Sequence, residues 1–168
     1  LVNHPGIDKI AFTGSTGVGK LIQKSIAGTG KKATLELGGK AANIIFADAT
    51  IDQAVEGIIN GIYFNQGHVC CAGSRLFVQE SIAEPAIDKL KRRMETLRVG
   101  DPLDKNTDVG AINSKMQLEK IEELVASGRE EGAEIYQPPC RLPERGYWFV
   151  PTVFTNVAQS YRIAQEEI

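Results

Sequence analysis

Two adjacent cysteines, Cys70 and Cys71, are the residues of this sequence with the clearest chemical potential. Small residues flank them, with Gly67 before the pair and the segment 72–74 (Ala-Gly-Ser) after it. Such flanks leave room for a ligand and for exposed backbone N–H groups that can stabilise an oxyanion. The structural alternative is a buried, inert pair, which is the common state of intracellular cysteines. The small neighbours favour a nucleophilic thiol.

Two common roles of cysteine, zinc binding and papain-type proteolysis, do not fit the sequence. Adjacent cysteines lack the spacing of a zinc-binding pair, and the third cysteine, Cys140, stands alone, so we predict no metal site. The Asn-Gln-Gly segment at 65–67 resembles that of a papain-type protease, which needs a histidine far downstream. The two histidines are His4 and His68. A base must therefore be a carboxylate or lie outside this sequence.

A glycine-rich segment, Gly14 to Gly19, lies between an apolar run at 9–13 and a helical pattern. A strand, a turn and a helix in this order direct free N–H groups and the positive end of the helix dipole at a phosphate. The P-loop pattern fits through Lys20, but Leu21 replaces the Ser or Thr that would hold magnesium. The dinucleotide fingerprint fails at Ile22. A phosphate site and an ordinary turn both stay open.

One carboxylate, Glu36, interrupts the alternating apolar pattern of residues 33–37 and precedes Gly38 and Gly39. A lone carboxylate on a half-buried strand usually faces solvent. Loops beside strand ends are also places where functional groups accumulate. The residues alone leave both interpretations open.

The elements that would position these residues alternate along the chain. Helices are predicted after the glycine-rich segment, from capping boxes at Thr50 and Ser81, and from Ser114. Short apolar runs predict strands at 9–13, 33–37, 43–46, 76–78, 133–136 and 147–154. The thiol pair lies between the Thr50 helix and strand 76–78. This alternation predicts an α/β fold with a largely parallel sheet.

Composition excludes several classes of protein. The 168 residues are 42% hydrophobic, enough for one compact domain or the abutting parts of two. A net charge of −2 indicates neither a nucleic-acid partner nor an anionic membrane surface. No apolar run has the length of a membrane span, and the three cysteines form no disulfide framework, which favours a reducing compartment. Because the chain opens on Leu1 and stops without a closing signal, we expect a piece of a longer protein.

Four segments, in this order and spacing, resemble NAD(P)-dependent aldehyde dehydrogenases, and the resemblance covers essentially the whole chain. It implies an α/β fold with a parallel-sheet catalytic domain and a remnant of a Rossmann-type cofactor domain. Residues 1–38 would end the cofactor domain, and residues 39–168 would form most of the thiol-bearing catalytic domain. The segments are Phe12 to Gly19, Leu35 to Lys40, Phe64 to Ser74 and Glu166 to Ile168.

The resemblance implies a role for each candidate residue. Cys70 would be the nucleophile and Cys71 its neighbour, because the family's cysteine lies three places after the glycine of Asn-Gln-Gly. Glu36 would be the general base. The cofactor would be NAD or NADP. The Ser15 hydroxyl would contact its pyrophosphate, the Leu37 carbonyl would contact its nicotinamide carboxamide, and Glu167 would contact its nicotinamide ribose. The implied cofactor-binding residues are Gly14, Ser15, Thr16, Gly19, Leu37 and Glu167.

Two positions depart from the family pattern. His68 stands where the family usually has Gln or Glu. Its side chain would either tune the thiolate or face solvent, and we predict the second. Gly17 stands where many members carry Glu. The resemblance implies that an aldehyde, a small-molecule substrate, is oxidised to a carboxylic acid by a homo-oligomer (dimer or tetramer) of the cytoplasm or mitochondrion. We expect the isolated chain to be inactive, because the family's second oxyanion donor is absent from it.

Three rival interpretations remain. A CoA-acylating family member would release its thioester to a thiol and would not need Glu36. A non-catalytic member would serve as a scaffold, and the presence of both Cys70 and Glu36 argues against it. A P-loop-like nucleotide-binding protein would require Ser or Thr at position 21.

Overall fold

The computed structural model describes all 168 residues and divides them into two compact units. The N-terminal unit is Leu1–Gly39, and the C-terminal unit is Lys40–Ile168. The assignment of residues 1–38 to a cofactor domain and of residues 39–168 to a catalytic domain stays a prediction.

The N-terminal unit is a strand, a helix and a second strand. The two strands are parallel, with Thr13 opposite Glu36 and Gly14 opposite Leu37. The helix buries Ile22 and Ile26, and these two side chains lie one helical turn apart. The glycine-rich turn therefore begins at the end of β1, next to the end of β2. The elements are β1 (Lys9–Gly14), α1 (Thr16–Ile26) and β2 (Lys32–Leu37).

The C-terminal unit begins with a parallel strand pair joined through the helix that leads to the thiols. An antiparallel pair and three further helices follow. The elements are β3 (Ala42–Ile45), α2 (Ile51–Ile62), β4 (Arg75–Val78), α3 (Glu80–Met94), α4 (Lys115–Glu130), β5 (Glu134–Tyr136), β6 (Val153–Thr155) and α5 (Arg162–Gln165).

Two apolar clusters stabilise this unit. The first joins one face of α2 to α3, and its most buried members are Met94 and Leu90, at 0% and 2% exposure. Full burial of such a side chain contributes about 1.5–3 kcal/mol. The second cluster lies beneath α4 and includes Ile121, Val125 and the partly buried Ile168. The first cluster fixes the helix before the thiols, and the second fixes the end of the chain.

The predicted α/β fold is confirmed, but its sheet is not continuous. The strands form three separate pairs, two parallel and one antiparallel. The predicted strand at 147–154 is reduced to β6, and residues 147–150 form no strand. Pro151 follows them and has no N–H to donate to a sheet.

Both predicted capping boxes are wrong. Thr50 does precede α2, but its side chain makes no capping hydrogen bond. Ser81 lies inside α3, which begins at Glu80 after an extended Gln79. The Gln79 side-chain oxygen accepts a hydrogen bond from the Ala47 N–H at 2.9 Å. This contact anchors Gln79 to the end of β3, so the helix begins immediately after it.

Candidate active site

The thiol segment begins where α2 ends, at the largely buried Tyr63. Its phenol O–H donates to the Thr152 carbonyl oxygen at 3.1 Å, and its oxygen lies 3.4 Å from the Met94 sulfur. Burial raises the pKa of Tyr63 above its ordinary value, so the phenol stays neutral and remains a hydrogen-bond donor. Tyr63 therefore fixes the point from which the thiol segment starts.

Three consecutive residues after this point have left-handed backbone. The φ angles are 48° at Asn65, 58° at Gln66 and 77° at Gly67. Glycine adopts this region freely and asparagine tolerates it, whereas glutamine pays a steric cost. Each non-glycine residue held in this region costs on the order of 1–3 kcal/mol, and surrounding contacts must offset that cost.

Local hydrogen bonds hold the left-handed run in place. The His68 N–H donates to the Asn65 carbonyl at 3.0 Å, and the Asn65 side-chain amide donates to the His68 carbonyl at 3.0 Å. The Gln66 side-chain oxygen, assigned by its hydrogen-bonding partners, accepts from the Gly110 N–H at 2.7 Å. A Cβ atom at Gly110 would lie 2.7 Å from the Gln66 amide. This approach therefore favours glycine at position 110.

The two thiols occupy the centre of a hydrogen-bonded turn. The Ala72 N–H donates to the Val69 carbonyl at 2.9 Å, so Cys70 and Cys71 lie between the two ends of the turn. Both are free and exposed, which differs from the buried, inert alternative. Their backbone N–H groups have no intramolecular acceptor. The turn thus presents thiols and free N–H donors on one short segment.

His68 precedes this turn, and its side chain faces solvent only in part, which differs from the prediction. The residue is partly buried, and its Nε2 atom is shielded from solvent and has no hydrogen-bond partner. Burial lowers the pKa of His68, which keeps the imidazole neutral at pH 7. The reciprocal hydrogen bonds with Asn65 hold the His68 backbone against the left-handed run.

The exit from the turn is tied to the strand pair. The Gly73 N–H donates to the Gly61 carbonyl at 3.2 Å, and the Arg75 N–H donates to the Ala41 carbonyl at 3.1 Å. The Arg75 side chain also donates from Nε to the Lys40 carbonyl at 2.8 Å. The thiol turn is therefore bounded by α2 on one side and by the β3–β4 pair on the other.

In the N-terminal unit, the glycine-rich turn carries free donors at the start of α1. The Ser15 Oγ accepts from the Val18 N–H at 3.3 Å, and its own O–H stays available. The N–H groups of Thr16 and Gly17 have no intramolecular acceptor. An 11-residue helix with unpaired N–H groups at its N-terminus suits an anion.

The other predicted residues of this unit gather around β2. A Cβ atom at Gly19 would lie 2.6 Å from the Leu37 side chain, so α1 approaches β2 closely only because residue 19 is glycine. Gly14 pairs with Leu37 in the strand register. Glu36 is exposed beside Leu37. The predicted cofactor residues of this unit therefore form one local group with Glu36 next to it, and they are Gly14, Ser15, Thr16, Gly19 and Leu37.

Glu167, the last predicted cofactor residue, lies in the C-terminal unit just beyond α5. Its carboxylate is exposed and makes no hydrogen bond within the structure. Sequence reasoning missed its charged neighbour Lys40, although Lys40 follows the glycine pair at 38–39. Burial lowers the pKa of Lys40, the Arg75 charge lowers it further, and the Glu167 charge acts in the opposite direction. The Lys40 ammonium is thus close enough to feel the Glu167 charge, but the two side chains form no ion pair.

Two further features of the structure concern metal binding and membrane insertion. No three His, Cys, Asp or Glu side chains cluster closely enough to hold a metal ion. None of the helices has both the length and the apolar character needed to cross a membrane.

Comparison with known proteins gives a consistent result over the entire chain. The aldehyde dehydrogenase family model matches residues 1–168. Retinal dehydrogenase 2 of Taeniopygia guttata is 50% identical over 169 aligned residues, which cover 100% of this chain and 33% of that protein. An aldehyde dehydrogenase of Alternaria alternata is 48% identical, with 98% of this chain and 33% of that protein covered.

The solved structures agree with the sequence relatives. The crystal structure of an NAD-dependent aldehyde dehydrogenase from Sinorhizobium meliloti superposes with a TM-score of 0.95 at 41% identity, covering 99% of this chain and 33% of that one. The chain thus spans about a third of the length of the relatives it matches. The resemblance inferred from the four sequence segments is confirmed, and the chain belongs to the aldehyde dehydrogenase family.

Proposed function

We propose that these residues form the thiol-bearing third of an enzyme that oxidises an aldehyde to a carboxylic acid with NAD or NADP. The observation that carries the proposal is the exposed Cys70 on a turn whose N–H groups are free. Family membership supplies the reaction class, and a related aldehyde dehydrogenase from Bacillus cereus has been solved as an NAD⁺ complex.

The residues of the N-terminal unit fit a dinucleotide. The free N–H groups of Thr16 and Gly17 and the Ser15 hydroxyl are donors for pyrophosphate oxygens. Gly14 and Gly19 add no side-chain bulk to the turn, and the Leu37 carbonyl would accept from the nicotinamide carboxamide. When bound, the cofactor supplies the acceptor for the hydride that leaves the substrate carbon.

Cys70 performs the covalent step in this proposal. Its thiolate Sγ attacks the aldehyde carbon, and the carbonyl π electrons move to oxygen, giving a tetrahedral thiohemiacetal oxyanion. The Cys70 N–H, which has no partner in the structure, donates to that oxyanion. When the oxyanion re-forms its carbonyl, the carbon loses hydride and Cys70 carries a thioester.

Glu36 completes the cycle as the general base. Its carboxylate takes a proton from water, and the resulting hydroxide attacks the thioester carbon. The C–S bond breaks, the thiolate of Cys70 leaves, and the acyl group departs as a carboxylic acid. The balance is one aldehyde, one water and one oxidised cofactor giving one acid, one reduced cofactor and one proton.

The remaining parts of the proposal concern the substrate, the oligomeric state and the cellular compartment. The substrate is an aldehyde, and a dimeric or tetrameric enzyme of the cytoplasm or mitochondrion stays a prediction. Three free cysteines suit a reducing compartment.

The test compares the two adjacent thiols in the complete enzyme. Cys70→Ala should abolish turnover, whereas Cys71→Ala, the matched control on the same turn, should retain most of it. Mass spectrometry of an enzyme quenched during aldehyde turnover should place the acyl adduct on Cys70. An acyl group on Cys71, or full activity in Cys70→Ala, would contradict the assignment.

A further inference from the structure

The short helix α5 depends on its neighbours for its position. Its four residues are too few to be stable alone, because helix nucleation is unfavourable and few hydrogen bonds offset it. Ile163 and Ala164 are buried, at 6% and 8% exposure. A Cβ atom at Gly128 of α4 would lie 2.8 Å from Ile163 Cδ1. The glycine therefore allows α5 to approach α4 closely.

Arg162, the first residue of α5, connects this helix to α4. Its Nη1 donates to the Glu123 carboxylate of α4 at 3.0 Å, and its backbone N–H donates to the Glu131 carboxylate at 3.0 Å. Nε and Nη2 donate to the two oxygens of Glu166 at 2.8 and 3.3 Å. A two-point contact of this kind fixes orientation as well as distance. One guanidinium thus joins α4 to the residue immediately before Glu167.

Glu167 itself has no such support. Its carboxylate is exposed and accepts no hydrogen bond, so it is free to accept from a ligand hydroxyl. Its position is set by the backbone on either side, since Glu166 is held by Arg162 and Ile168 packs into the cluster beneath α4. The Arg162 charge also holds the pKa of Glu166 below its ordinary value, which keeps the pair ionised.

We propose that Arg162 is a positioning residue for cofactor binding. By bridging Glu123 and Glu166, its guanidinium fixes the backbone of Glu167, whose carboxylate then meets the cofactor ribose. This inference rests on the proposed function and on the role that the family resemblance implies for Glu167, whose carboxylate would accept from that ribose. Arg162 acts through Glu166 and Glu167 and does not contact the cofactor.

The test uses Arg162→Met in the complete enzyme, because Met keeps an unbranched apolar stem and lacks the guanidinium. Binding of NADH, followed by its fluorescence without substrate, should weaken about 10-fold, the effect expected when one hydrogen bond to a charged group is impaired. KM for the cofactor should rise similarly. At saturating cofactor, kcat should change by less than about 2-fold, because the thiol chemistry is untouched.

Two further variants separate positioning from a general loss of structure. Lys115→Met removes the ion pair of α4 in which the Lys115 Nζ lies 3.5 Å from the Glu119 carboxylate, and it should leave NADH binding unchanged. Arg162→Lys keeps the charge but loses the two-point contact, so its NADH affinity should lie between those of wild type and Arg162→Met.

The outcomes distinguish this inference from the proposed function. Unchanged NADH affinity in Arg162→Met overturns the positioning role, and so does a loss of kcat and thermal stability without a change in cofactor affinity. A wild-type enzyme that binds NADH but oxidises no aldehyde refutes the proposed function instead, and the binding series still decides the role of Arg162.

Discussion

Gly67 offers a direct test of the left-handed run that precedes the thiols. Its φ is 77°, and a Cβ atom there would lie 3.1 Å from the Ile62 carbonyl oxygen in the last turn of α2. That oxygen belongs to a helix backbone, so it cannot move away as a flexible side chain could. Gly67→Ala therefore combines an unfavourable backbone conformation with a close backbone contact.

The expected loss of stability follows from these two terms. A left-handed residue with a side chain costs roughly 1–2 kcal/mol, and the close contact increases that cost, so we expect about 2–3 kcal/mol for Gly67→Ala. Cys70 lies three residues further on. If the strain is relieved by moving the turn, a displacement of about 1 Å at the thiol lowers kcat/KM by about 100-fold.

The assay pairs urea unfolding, followed by circular dichroism, with kcat/KM and with the rate of alkylation of Cys70 by iodoacetamide. Gly57→Ala is the matched control, because Gly57 lies inside α2 and has no heavy atom within 4 Å of a Cβ placed there. It should stabilise the helix by up to about 1 kcal/mol and leave activity unchanged. If Gly67→Ala keeps wild-type stability, alkylation rate and activity, the conformational argument fails.

The remaining predictions concern the base and the core. Glu36→Gln should slow steady turnover by about 100- to 10,000-fold but affect first-turnover hydride transfer less, giving a burst of NADH in a rapid-mixing trace. If burst and steady rate fall together, Glu36 acts before or during hydride transfer. Met94→Ala should lower the free energy of unfolding by about 2–5 kcal/mol, because Met94 is 0% exposed in the cluster behind Tyr63. The same change at Met116, 78% exposed, should stay within about 0.5 kcal/mol, and equal effects would contradict the core assignment.

The sequence predicted those elements whose signal is local. The periodic apolar face of α2 and the alternating run of β2 were sufficient, because α2 buries, and β2 partly buries, the side chains that its own period places on one face. The prediction that Ser114 precedes α4 is also confirmed, since the Ser114 hydroxyl accepts a hydrogen bond from the Gln117 N–H at 3.2 Å. Gln79 was missed because its contact with Ala47 joins residues far apart in the chain.

The candidate site shows the same difference between features set by neighbouring residues and features set by contacts between distant residues. The turn at Cys70 could be anticipated from small neighbours, and the spacing of Arg162 and Glu166 is a local helix pair that the sequence displays. The left-handed Gln66 could not be anticipated, because its backbone is stabilised by Gly110, more than forty residues away. The contact between Arg162 and Glu123 is likewise visible only once α4 and α5 are packed.

Cys70 and Glu167 share one physical arrangement despite lying on different parts of the C-terminal unit. Each follows a short segment that its own hydrogen bonds could not stabilise, and each segment is held by a longer helix with a buried face. Such segments can adopt backbone that a regular element forbids, which leaves N–H groups at the thiol turn and a carboxylate after α5 without internal partners. Polar groups left free at exposed positions are the ones available to bind a substrate or cofactor. The left-handed run at Asn65 and Gln66 and the ion pairs of Arg162 therefore have the same effect: each holds in place a short segment that carries polar groups without an internal partner.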